Sequence, residues 1–323
     1  MKFHFLNVGQ GDCTIIEHDS RRITMVDINN GTDLDETTAN ELITERRSLA
    51  DDFLISLAER RGMSKTAALK QGGYEIELTN PVEYFQQHFA GRPVFRFIQT
   101  HPDSDHLKGL ESLHRTGIRI INFWDTEHQK VGDYSTDNLK QNWQRYEALR
   151  RGRWLDRTDV KVLNLYQGAE NSLFNKNEDE TSGGDGIYIL APTKETNLAA
   201  NESGNVNNLS YVLMVIANGF RVLLGGDAEA PVWKPLFEHY GSGLKCDVLK
   251  ASHHGRESGF YRDAVRAMSP ELTIVSVGKK PSTDASNRYR NLSDNVYSTR
   301  WKGNIVLDVP TSGRPTVHTQ YDR

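Results

Sequence analysis

Short apolar runs that stop abruptly at histidine, aspartate or glycine set the pattern of this chain. Val94-Phe95-Arg96-Phe97-Ile98 reads as a buried strand and runs, through Gln99 and Thr100, into His101-Pro102-Asp103-Ser104-Asp105-His106. Leu107, Leu110 and Leu113 follow at helical spacing, so a helix is predicted after the hexamer. Arg221-Val222-Leu223-Leu224 is a second strand, ending in Gly225-Gly226-Asp227. Cys246 to Ala251 is a third, ending in His253-His254-Gly255. The chain opens on Phe3, Phe5, Leu6 and Val8, a strand pattern, and Met25-Val26-Asp27 is a further strand with an acidic tip. Short strands first and strand–helix units afterwards predict an α/β fold of two mixed sheets covered by helices.

Two stretches interrupt this rhythm. Residues 32–90 hold helical segments, among them an amphipathic run from Ala50 to Arg61 that ends near Gly62. Residues 129–186 hold an Arg-rich helical run, Asn138 to Trp154, and then a polar loop, Asn171 to Gly186, that reads as mobile. Both are expected as insertions into one domain spanning residues 1–323. Thr299 to Val317 reads as one or two closing strands, and no internal repeat is evident.

The strand ends carry the candidate chemistry. His101, Asp103, Asp105 and His106 crowd into six residues, and neighbouring side chains in a tight loop point in different directions, so the hexamer can surround two cations. Asp103 or Ser104 could instead cap the following helix, but a cap needs one acceptor and leaves the other side chains unexplained. Gly-Gly-Asp is a common turn and surface histidine pairs are usually inert. Three such strand tips in one chain nevertheless point to one shared site at one edge of the sheets. Two cations sharing a water make a strong nucleophile near neutral pH.

At these residues the chain resembles the metallo-β-lactamase superfamily, whose signature is His-x-His-x-Asp-His, then a strand-end Asp, then a strand-end His. It is most similar to the hydrolase domain of ComEC-type DNA-uptake proteins and its stand-alone relatives. The resemblance rests on Phe5 to Ile16, Met25 to Gly31, the hexamer at 101–106, Asn208 to Leu213 with Leu224 to Glu229, and Leu249 to Gly255. It implies an αββα sandwich with helical insertions and a dinuclear, metal-dependent hydrolase. His101 and Asp103 would hold one metal. Asp105, His106 and one of His253 and His254 would hold the other, with Asp227 bridging; His254 is the preferred ligand and His253 the preferred substrate contact. Asp27 is expected to support the metal loop through hydrogen bonds. Asp12 and Gln10 have either that role or a turn role.

The sequence departs from the pattern in two ways. Asp103 replaces the second histidine, a change found in this branch, and it hardens the site toward manganese or magnesium, with zinc still compatible. The usual third histidine has no evident equivalent. His114 falls on the helix after the hexamer and His128 in Trp124-Asp125-Thr126-Glu127-His128, where a surface role is favoured; Asn207, Asn208 or water is left to fill the slot.

Composition narrows the function. The 323 residues suit one sizeable, elaborated domain, with no apolar run of the ~18–20 residues that cross a bilayer. Two cysteines, Cys13 and Cys246, and no basic-plus-apolar leader point to the cytoplasm. A formal charge of −4 excludes wholesale nucleic-acid coating but leaves room for local basic stripes. Arg145, Arg150, Arg151, Arg153, Arg157 and Lys161, interleaved with Trp143, Tyr146 and Trp154, form one; Lys279, Lys280, Arg288 and Arg290, beside Tyr289, form another. Arg256 or Lys279 could steady a phosphate oxygen, and Asp103 could manage the leaving-group proton. The main expectation is a phosphodiesterase acting on DNA as a nuclease. The alternatives are a hydrolase of small phosphodiesters or esters, and a metal-binding subunit with little turnover in a multi-gene assembly.

Overall fold

The computed structural model describes residues 1–32, 57, 60–71, 78–177, 179–276 and 284–321. Among them, the strands are β1 (Lys2–Phe5), β2 (Thr14–Glu17), β3 (Ile23–Val26), β4 (Val94–Ile98), β5 (Ile120–Asp125), β6 (Lys161–Asn164), β7 (Ile187–Ala191), β8 (Val212–Ala217), β9 (Phe220–Leu224), β10 (Val248–Lys250), β11 (Leu272–Val275), β12 (Asn295–Ser298), β13 (Ile305–Asp308) and β14 (Thr316–Thr319). They form an eight-stranded sheet, β14-β13-β1-β2-β3-β4-β5-β6, and a six-stranded sheet, β12-β11-β10-β9-β8-β7.

Side-chain alternation explains the layers. In the first sheet Ile15, Met25, Phe97 and Phe123 pack with Phe85, Leu110, Leu113 and Tyr146 of the covering helices. Their neighbours Ile16, Val26, Ile98 and Trp124 pack instead with Leu213, Val222, Leu224, Val248 and Ile274 of the second sheet. The second sheet's other face, with Met214, Leu223 and Leu249, is covered by Val232, Trp233, Leu236, Val265 and Met268. Helix, sheet, sheet and helix therefore stack in that order, and the central strands β3, β4, β8, β9, β10 and β11 are buried on both faces along most of their length, which is why their apolar runs are continuous.

Strand direction positions the site. β3, β4, β5 and β6 run parallel, as do β9, β10, β11 and β12. Their carboxyl ends gather at one edge of the sandwich, together with the loop that leaves β1 and the residues that enter β13. Ligand sites in open parallel sheets form at this edge.

Several expectations are corrected. Residues 129–186 are not simply inserted, because β6 within them pairs with β5 as an edge strand. The Arg-rich helix spans Asp137–Arg150, and Trp143, Tyr146 and Trp154 are buried in the core rather than open for stacking. Three arginines on or just after it are paired: Arg145 with Glu111 at 2.6 Å, Arg150 with Asp125 at 2.8 Å and Arg151 with Glu147 at 3.3 Å. Arg157 pairs with Asp159. Tyr289 is likewise buried, and Arg288 pairs with Glu257.

The polar loop is anchored rather than loose. Asp185 is buried and takes Arg96 at 3.1 Å and Arg22 at 3.3 Å, while its carbonyl accepts from His18 Nδ1 at 3.0 Å. Thr299–Lys302 is a helical turn before the closing strands β13 and β14. Most of the expected 50–61 helix, together with Lys279 and Lys280, lies outside the described residues. Among the described residues no helix is long and apolar enough to cross a membrane.

Candidate metal centre

The three strand tips converge. Asp227 lies at the centre, its Oδ2 3.3 Å from His106 Nε2, 3.5 Å from His254 Nε2 and 3.9 Å from both His101 Nε2 and His253 Nε2. Asp105 Oδ2 is 3.3 Å from His254 Nε2, and Asp103 Oδ2 is 3.6 Å from His101 Nε2. The hexamer forms a loop and a short 3-10 turn at Ser104–His106.

Two local features allow this approach. Gly226 has φ +52°, and a Cβ there would sit 2.9 Å from Ser210 Cβ and 3.0 Å from the Tyr211 carbonyl. Gly11 brings the opening loop so close that a Cβ would meet the Asp105 carbonyl. Asp27, His253 and His254 also hold left-handed backbone, at φ 56°, 49° and 53°. Such a conformation costs roughly 1–2 kcal/mol in a non-glycine residue and persists only where packing and hydrogen bonds impose it.

Each inner imidazole is oriented from behind. His106 Nδ1 donates to Asp27 Oδ2 at 2.7 Å, and His254 Nδ1 donates to the Ser276 carbonyl at 3.1 Å. His101 Nδ1 faces Thr100 Oγ1 at 3.1 Å and Ser210 Oγ at 3.3 Å. Asp27 is held in turn by the Thr100 amide at 2.7 Å and hydroxyl at 2.6 Å. With the Nδ1 atoms so engaged, each Nε2 presents its lone pair to the cluster. His101 Nε2, His106 Nε2, His254 Nε2 and Asp227 Oδ1 are all buried without a hydrogen-bond partner.

Buried orphan acceptors facing carboxylates repel unless a cation or bound protons stand among them. A tetrahedral cation with bonds of ~2.1 Å needs donors ~3.4 Å apart; His106 and Asp227 are 3.3 Å apart, His254 and Asp105 3.3 Å, and His254 and Asp227 3.5 Å. The donor atoms of Asp12, His106, Asp227 and His254 lie within 4.8 Å of one another, a set that can surround one cation, with Asp105 beside His254. A second position has His101, Asp103 and the shared Asp227, at the wider spacings of 3.6 and 3.9 Å.

The titration behaviour reports the same field. Burial alone would lower the His106 and His254 pKa values, yet the carboxylates together outweigh it and both are raised, by Asp227 with Asp27 at His106 and by Asp227 with Asp105 and Asp12 at His254. Burial would raise Asp227, Asp105 and Asp103, but the facing histidines outweigh it and all three are lowered, Asp103 to about 2 with help from Lys130.

The remaining sequence candidates take other roles. His253 is the outer imidazole: Nδ1 lies 2.7 Å from Ser258 Oγ and 3.2 Å from Glu229 Oε1, and Nε2 receives Arg256 at 3.3 Å. Asn208 Oδ1 accepts the Glu229 amide at 3.1 Å and Asn207 reaches Glu229 Oε1 at 3.5 Å, so both brace the turn after Asp227 instead of filling a histidine slot. Asp12 is clamped by the buried Lys250 at 2.8 Å while staying within reach of the cluster. The Gln10 carbonyl accepts from Asn29 Nδ2 at 2.9 Å, a turn role. His114 packs on Trp154. His128 is not on the surface: it is buried against Tyr146, with Nε2 2.6 Å from its hydroxyl.

Sequence reasoning missed Lys250 and Lys130. A lysine inside the apolar run Val248-Leu249-Lys250 was a signal, since a buried ammonium needs a carboxylate. Lys130, whose ammonium contacts Asp103 Oδ1, had no such signal.

The layer order, helix on sheet on sheet on helix, is the αββα arrangement expected from the sequence. The chain is similar over 130 residues, at 33% identity, to Competence protein ComA of Neisseria gonorrhoeae, and over 136 residues, at 26%, to ComE operon protein 3 of Bacillus subtilis (strain 168). These matches cover 39% and 42% of this chain but only 18% and 16% of those proteins' length. No protein-family model matches the chain. Among solved structures it is similar to the metallo-β-lactamase fold protein YhfI from Bacillus subtilis, at TM-score 0.44 and 10% identity, covering 94% of this chain and 98% of that one. Similarity at that level carries no chemistry from one chain to the other.

Proposed function

We propose that this protein is a metal-dependent phosphodiesterase acting on nucleic acid, with DNA as the first substrate to test. The observation that carries the reading is the set of buried, unpartnered Nε2 atoms around Asp227 at cation spacing. Bound cations would supply Lewis acidity toward a phosphoryl oxygen and lower the pKa of a water. His101, His106 and His254 hold their lone pairs inward, Asp227 faces all three, and Asp105 and Asp103 flank them. His253 and Arg256 stand on the outer side, where the guanidinium can meet a phosphate oxygen.

A long substrate is supported by the same sheet edge. Trp301 is 56% exposed, Arg300 stacks on it at 4.9 Å, and Lys302 lies over Tyr297 at 5.2 Å. This turn follows β12, which runs parallel to β11 and so ends on the side of His254. An exposed aromatic flanked by cations suits a base and its phosphates.

The test is cleavage of single-stranded DNA, duplex DNA, a cyclic nucleotide and a bis-aryl phosphodiester, with manganese and separately with zinc. DNA should be cut, with a rate that falls steeply as salt rises. Asp227→Ala and His106→Ala should be inactive with unchanged circular dichroism. Cleavage of the small diesters alone would favour a small-substrate enzyme, and full activity in excess chelator would exclude both.

A further inference from the structure

We infer that Lys130 supplies, at Asp103, the positive charge that a second cation would otherwise bring, so that this chain holds one cation tightly. The inference rests on the reading of the centre as a cation site.

The two positions are unequal. One has His106 3.3 Å and His254 3.5 Å from Asp227, with Asp105 3.3 Å from His254 and orphan atoms from His106, His254 and Asp227. The other has His101 and Asp103 beside the shared Asp227, and Asp103 Oδ1 is already in contact with the Lys130 ammonium. No third histidine stands there among the described residues: His114 and His128 are both held in side-chain packing elsewhere.

Lys130 is held rather than free-swinging. Its amide donates to His128 Nδ1 at 3.1 Å, His128 Nε2 bonds Tyr146 at 2.6 Å, and Tyr146 donates to Asp125 at the end of β5 at 2.6 Å. The adjoining Glu127 carbonyl and Gln129 amide are bound by Asn201. The side chain is 28% exposed, so the ammonium enters the site from a braced loop. A divalent ion at Asp103 would meet that charge at close range, or would have to displace it.

Metal stoichiometry decides the matter. Protein loaded with manganese and desalted should retain one ion per chain and give the spectrum of isolated Mn2+ by electron paramagnetic resonance. Lys130→Met should retain two, with a spin-coupled signal, and bind the second ion about tenfold tighter or more. Lys130→Arg should keep one. Two tightly held ions in the unaltered protein, or one in Lys130→Met, would overturn the role of Lys130 while leaving the cation site standing. No retained ion in any form would overturn the reading of the site itself.

Discussion

His106 Nδ1 and Asp27 Oδ2 stand 2.7 Å apart, and that bond determines which nitrogen of His106 faces the cluster. Asp27 reaches it from the end of β3, with its own backbone in a left-handed conformation. Asp27→Asn should weaken metal binding by about 10–100-fold, the usual cost of losing a carboxylate behind a ligating imidazole. Chelator competition measures this, and unchanged affinity would mean that Asp27 serves only the fold.

Metal loading should release protons. His106 and His254 have raised pKa values because Asp227 faces them, so without a metal they hold protons more readily than free imidazoles do. In the metal-free protein these histidines contribute stability below their ordinary value of 6.5, and the contribution is lost as pH rises through their folded values. Calorimetry in buffers of different ionisation enthalpy should show more protons released at pH 6 than at pH 9. Equal release at both would contradict the shifts.

His18 should make the protein acid-labile. Burial holds its imidazole neutral and lowers its pKa from 6.5 to about 4, despite Asp185 nearby. The unfolded chain then binds a proton that the folded chain refuses, so stability falls as pH drops from 6.5 toward 4. The shift amounts to about 2 kcal/mol lost by pH 5. His4 and His128, lowered to about 4 and about 3 chiefly by burial, act in the same direction. Urea midpoints for His18→Gln should depend less on pH than those of the unaltered protein; an equal dependence would remove His18 from the account.

Trp301→Ala should separate long substrates from short ones. Losing one stacking platform worth ~1–3 kcal/mol should raise KM for single-stranded oligonucleotides roughly tenfold or more and leave a bis-aryl phosphodiester untouched. An equal effect on both would place Trp301 outside substrate binding.

The candidate ligand residues stood out because each sits where an apolar run ends, and parallel strands bring such ends together whatever the intervening sequence. The paired sheets were legible for the same reason. The faces of the 137–150 helix were not: Trp143 and Tyr146 read as easily outward as inward until the first sheet claimed them. Asp185 looked like loop polarity because its partner Arg96 is 89 residues away in β4. Lys130 and Asp103 lie on separate loops, and only the directions of β4 and β5 bring them into contact.

Asp12 and Lys250 clasp across 238 positions of sequence, joining the first loop of the chain to the last strand before the histidine pair. Neither half of the molecule alone can therefore assemble the pocket: an amino-terminal fragment would carry His101 to His106 and lack Asp227 and His254. Capture of an ion would then report that both sheets have closed on one another, and stripping it should loosen the junction between them before it loosens either sheet.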